Sequence, residues 1–221
     1  MTEHRQRRYV DLSHPLSHQT PAFPGDPSLE IRILDSSQWP SAAGERHLNS
    51  SHLSVSLHCG THMDAPFHFF GDARTIDQVP PERAIGPCAL VRLPWQELGP
   101  TIEQAHLAPY ESLVRAHRRV VLNTLWHHRW GQADYFTEHP VIAGAAARML
   151  VDWGVGLVGV DTPSVDRPPF DAHLALLGSD VLIVENLTNL DAIGTDVFDL
   201  VALPLKVVGR DGSPVRAVAV I

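Results

Sequence analysis

Residues 51–68 constrain the fold more than any other stretch of this chain. From Ser51 the side chains alternate. Leu53, Val55 and Leu57 fall on one side and His52, Ser54, Ser56 and His58 on the other, the period of a half-buried strand. The alternation gives way to His58-Cys-Gly-Thr-His-Met-Asp-Ala-Pro-Phe-His68, where Gly60 and Pro66 argue against a helix. The expectation is a strand that delivers His58 at its polar end. A loop then gathers His58, His62, His68 and Asp64.

Around this segment the pattern is that of an α/β protein. Thr20–Pro27 is too rich in Pro and Gly for a helix and reads as an irregular loop. Cys88–Leu93, Val120–Asn123, Gly156–Asp161 and Val181–Glu185 are short apolar runs expected as buried strands, with Asp199–Leu203 and Val215–Ile221 closing the fold. Thr101–His117 has helical composition interrupted by Pro109. Val141–Trp153 repeats Ile142, Ala146, Met149, Leu150 and Trp153 near a period of 3.6 before Gly154, and Ala172–Leu177 reads as one or two helical turns. A helix followed by a buried strand is an α/β unit, and no repeat or linker divides the chain. One domain is expected over residues 9–221, preceded by a mobile tail over 1–8.

Charge and composition narrow the partners. A formal net charge of −8 argues against nucleic acid or an anionic membrane, and no apolar run has the length of a membrane span. The first residues lack the apolar stretch of a signal peptide, and Cys59 and Cys88 do not make a disulfide framework, so a cytoplasmic setting is expected.

His-x3-His-x-Asp suits a divalent cation, because neutral imidazole and carboxylate are ligands of Zn- or Mn-type ions. One segment rarely completes such a site, and His173 and Glu185 are the best further candidates. A carboxylate closing the apolar run Val181–Val184 needs a cation or an arginine to offset its burial. The same residues have plainer readings. His58 and His62 could be hydrogen-bonded core or surface histidines, Asp64 could make an Asx turn, and Glu185 could pair with an arginine. Cys59 reads as structural.

The segment His58–Phe69 resembles the His-x-Gly-Thr-His-x-Asp-x-Pro-x-His-Phe signature of the metal-dependent cyclase family, which includes bacterial kynurenine formamidases and isatin hydrolases. Asp11–Leu16, Pro24–Asp26, Gly159–Ser164, Ala172-His173, Glu185–Leu187, Ala202–Leu205 and Gly212–Ala217 resemble further blocks of the family, in family order. The resemblance implies a compact domain of the swivelling β/β/α type with a mixed sheet, assembled as a homodimer or larger. It also implies one or two divalent ions, Zn first and Mn second, held by His58, His62, Asp64, His173 and Glu185. Asp64 would bridge, and His68 would be the catalytic histidine. Phe23 stands where family formamidases carry Trp, and Glu185–Leu190 is closer to the functionally mixed part of the family.

The expected activity is therefore hydrolysis of a small-molecule amide, with N-formylkynurenine as the first substrate. Water on the ions would fall in pKa toward about 7, and His68 would carry the proton to the leaving nitrogen. Opening of a cyclic amide, imide or lactone is the alternative, and a non-catalytic metal or small-molecule binding protein is a third reading. Phe23, Trp39 and Trp126 are candidate walls for an aryl group. Arg216 could meet a substrate carboxylate, although a salt bridge is the favoured role.

Overall fold

The computed structural model describes residues 7–35 and 49–221. Most of the expected tail, and Trp39 with it, lie outside the described residues. Nine strands build one mixed sheet: β1 (Tyr9–Asp11), β2 (His62–Asp64), β3 (Ile85–Arg92), β4 (Arg119–Asn123), β5 (Leu157–Val160), β6 (Leu182–Glu185), β7 (Val197–Val201), β8 (Gly212–Pro214) and β9 (Val218–Val220). Their spatial order is β1-β9-β7-β3-β4-β5-β6-β2-β8. Strands β3 to β6 run parallel, and every pairing outside that block is antiparallel. This is a single α/β domain with a mixed sheet, as the sequence led us to expect.

The parallel strands are apolar on both faces because both faces are covered. Leu90, Val121, Leu157 and Leu182 join a core that includes Met63 and Phe198. Their neighbours Val91, Val120, Val158 and Ile183 join a second core, against helices α1 (Gly144–Asp152) and α2 (Asp171–Gly178). Helix α1 is shorter than its apolar period suggests. Val141–Ile142, both β-branched, pair instead with Thr101–Ile102 as a short parallel strand.

Two sequence expectations need correction. Ser50–Ser54 is a strand, but it pairs only with Glu30–Leu34 in a separate ribbon, where Leu53 is 50% exposed and Ile33 86%. The strand stops before His58 because Ser56 closes a turn, its hydroxyl donating to Asp26 and its carbonyl accepting the Cys59 N–H. The segment read as a histidine loop instead contains β2, which lies inside the sheet between β6 and β8.

Candidate metal centre

Strand periodicity assembles the site. In β2, His62 and Asp64 point to one face, while Met63 points to the other and is fully buried in the core. Antiparallel pairing sets Glu185 opposite His62 and Ile183 opposite Asp64, so the carboxylate that ends β6 faces the same side as the β2 ligands. On the other flank Gly212 lies opposite Asp64. A Cβ there would stand 2.8 Å from His58 Cε1 and 2.9 Å from the Met63 carbonyl oxygen, so only glycine leaves room for the His58 ring. His173 enters from the first turn of α2.

These five side chains converge. His58 Nδ1 is 2.8 Å and His62 Nε2 3.4 Å from Asp64 Oδ1. His62 Nε2 is 3.4 Å from Glu185 Oε2, and His173 Nε2 is 3.6 Å from Glu185 Oε1 and 3.9 Å from Asp64 Oδ2. Two ligand groups result, His58–His62–Asp64 and Asp64–His173–Glu185, with Asp64 common to both. Ligand atoms about 2.0–2.1 Å from a tetrahedral ion stand about 3.3 Å apart, close to most of these separations.

Three further observations fit a divalent ion. Asp64 is 1% exposed, and its oxygens are approached by imidazole rings, His58 Nδ1 at 2.8 Å, a costly state for a carboxylate unless a cation or protons on those rings neutralise it. Each histidine also has its remote ring nitrogen on an oxygen. His62 Nδ1 is 2.9 Å from the Gly60 carbonyl, His173 Nδ1 2.5 Å from Asp166, and His58 Nε2 2.5 Å from Asp211. Such partners fix the tautomer and aim the other lone pair inward. Glu185 is oriented in the same way, by the Val165 N–H.

The protonation of the cluster carries the same message. Burial pushes His58 down, but Asp64 and Asp211 outweigh it and raise the imidazole to about 9. Burial also opposes the charge on His62, which Asp64 and Glu185 nevertheless lift well above its ordinary value. For Asp64, burial works upward and loses to His58 and His62, which hold the carboxyl well below its usual range. Protons on the histidines thus supply positive charge that a bound cation would otherwise bring.

His68 stands apart from the two ligand groups that share Asp64. It closes the short helix Pro66–His68, its side chain is 31% exposed, and its ring lies 4.1 Å from that of His58 and 6.2 Å from that of His173. Burial lowers its pKa, His58 and His173 add to the effect, and Asp64 pulls the other way. Its Nδ1 is 3.7 Å from Asp211, so His58, His68 and Asp211 also form a group of potential ligands.

A cavity of about 370 Å³ opens over the cluster, with Phe23, Phe69 and Phe170 among its walls. Trp126 is not one of them. It is buried elsewhere, its indole N–H donating to the Tyr135 carbonyl and its ring edge-on to Trp95. Arg216 makes a paired contact with Asp11 at 2.8 and 2.7 Å, the salt bridge that sequence reasoning favoured. Cys59 is buried and belongs to none of the ligand groups. Sequence reasoning missed Asp166 and Asp211. Each meets its histidine only through the fold, and neither stands in a run with ligand spacing.

Fold and site together define an α/β domain with a buried histidine–carboxylate centre beneath an aromatic cavity. The Cyclase family model matches residues 10–167. The kynurenine formamidase of Bordetella avium is 35% identical over 219 residues, spanning 96% of this chain and 97% of its own. Among solved structures, isatin hydrolase A of Labrenzia aggregata, bound to benzyl benzoate, superposes with a TM-score of 0.82 at 26% identity, covering 97% of this chain and 94% of its own. An isatin hydrolase bound to the product analogue thioisatinate shares the fold, with a TM-score of 0.83 at 23% identity over 97% of this chain and 92% of its own. The chain belongs to the cyclase family.

Proposed function

We propose that this chain is a metal-dependent hydrolase of an aryl formamide, N-formylkynurenine being the first candidate, with formate and an aromatic amine as products. The observation that carries the reading is Asp64, a carboxylate buried among His58, His62, His173 and Glu185. Those five residues would hold one or two divalent ions, Zn before Mn. Bound ions supply Lewis acidity, which lowers the pKa of water toward about 7 and polarises a carbonyl.

The protein's own residues do the rest. His68, kept neutral by its lowered pKa, takes a proton from the attacking water and returns it to the nitrogen as the C–N bond breaks. Phe23, Phe69 and Phe170 would hold the aryl ring above the cluster. Asp211 positions His58, and Asp166 positions His173. The near full-length likeness to a kynurenine formamidase supports an open-chain formamide.

The structural likeness to isatin hydrolase supports a second reading, in which the same centre opens a cyclic amide. Parallel assays on one zinc-loaded sample separate the two. A kcat/KM for N-formylkynurenine at least tenfold above that for isatin is expected, and the reverse order would transfer the assignment to the cyclic substrate. We further propose a homodimeric or larger working form; the exposed Ile33 and Leu53, in the ribbon of Glu30–Leu34 and Ser50–Ser54, support it.

A further inference from the structure

A second group of ligand-type side chains lies outside that centre. The short helices Trp126–Arg129 and Leu190–Ala192 bring His127, His128 and Asp191 together, one ligand atom of each within 4.8 Å of the others. His127 Nε2 is 3.4 Å from Asp191 Oδ1, and His128 Nε2 is 3.6 Å from Asp191 Oδ2. The two imidazole rings lie 4.1 Å apart, tilted by 41°.

His127 decides what this group can do. Its side chain is 3% exposed, and its Nε2 has no hydrogen-bond partner. Its Nδ1 lies 3.0 Å from Asp161, a fully buried carboxylate that also accepts the Thr124 N–H and hydroxyl. Because Asp161 only accepts, the imidazole proton resides on Nδ1 and Nε2 presents a lone pair. A buried lone pair facing a second imidazole and a carboxylate lacks one thing, a cation. The carboxylate–histidine pair behind it is the usual support of a metal-binding imidazole.

We propose that His127, His128 and Asp191 form a second metal site, for a late first-row divalent ion of the Zn type, with Asp161 positioning His127. Two nitrogen donors and one carboxylate favour such ions over Mg or Ca, which take oxygen. His128 and Asp191 are half exposed, so water completes the coordination and the ion sits at the surface. It would tie the turn after β4 to the turn after β6. This site is independent of the hydrolytic reading.

The test is a Zn2+ titration of the chelator-stripped full-length protein against a chromophoric chelator. The unsubstituted chain, His128→Ala, Asp191→Asn and His62→Ala are compared. Both surface substitutions should weaken one bound ion at least tenfold and leave turnover and the other ions unchanged. His62→Ala should spare that ion. Equal stoichiometry and affinity in the unsubstituted, His128→Ala and Asp191→Asn chains would overturn the proposal. So would an extra ion bound more weakly than about 0.1 mM, which is adventitious binding.

Discussion

Asp64 carries both of its oxygens into a buried space ringed by imidazoles, and those imidazoles are aimed there by partners of their own. Those partners are the most informative residues to change. Asp166→Asn and Asp211→Asn keep size and hydrogen-bonding reach but remove the charge that steadies His173 and His58. Each is expected to weaken the centre's hold on Zn2+ by about 10- to 100-fold. Competition with a chelator measures this, and unaltered affinity in both variants would mean that neither carboxylate positions its histidine for metal. A different residue adds to acid sensitivity. Burial and the nearby Arg167 hold His139 neutral down to about 3, whereas in the unfolded chain it titrates near 6.5. The unfolded state therefore takes up a proton that the folded state refuses, and stability falls as pH drops from about 6.5 toward 3, by up to about 1.4 kcal/mol per pH unit. Urea unfolding of metal-free samples at about pH 7 and about pH 5 should show a smaller loss in His139→Gln than in the unsubstituted chain. Parallel losses would rule His139 out as the cause.

At the scale of elements, the centre depends on the alternation of β2 and on the absence of a side chain in β8. Gly212→Ala would set a methyl against His58 Cε1 and the Met63 carbonyl. The expected cost is about 1–3 kcal/mol of stability from overpacking, together with weaker binding in the group that contains His58. Thermal unfolding with and without Zn2+ reads both effects; a chain as stable and as responsive to Zn2+ as the unsubstituted one would contradict the account. The same elements show what the sequence could reveal. The apolar runs of β3 to β6 were legible because a strand buried on both faces must be apolar throughout. β2 was not, since its residues alternate between ligand and core and a three-residue run gives no period to detect. The Ser50–Ser54 alternation was a true strand signal, but what a strand packs against is a tertiary matter, and this one belongs to a ribbon. His173 and Glu185 could be suspected singly, from a histidine at a helix start and a carboxylate ending an apolar run. Glu185 comes to the side of Asp64 through strand register, and His173 through the placement of α2. Asp211 and the His127–His128–Asp191 group depend on contacts between distant segments, and Asp166 on the conformation of the turn into α2, none of which spacing encodes.

Across the whole molecule, one mixed sheet carries two cores and places its polar centre on β2 and β6, between the helix bearing His173 and the Gly212 edge. Among the described residues no helix is long and apolar enough to cross a membrane. In the proposed function the histidines of the centre divide by role: His58, His62 and His173 would hold metal, and His68 would move protons. Metal content and turnover of N-formylkynurenine, measured together on His62→Ala and His68→Ala, test that division most directly. His62→Ala should lose activity and the metal bound beside Asp64, but keep any ion at His127–His128–Asp191, whereas His68→Ala should keep all of its metal and lose at least about a hundredfold in kcat. Equal metal loss in the two variants would place His68 among the ligands and contradict its assignment as the proton carrier.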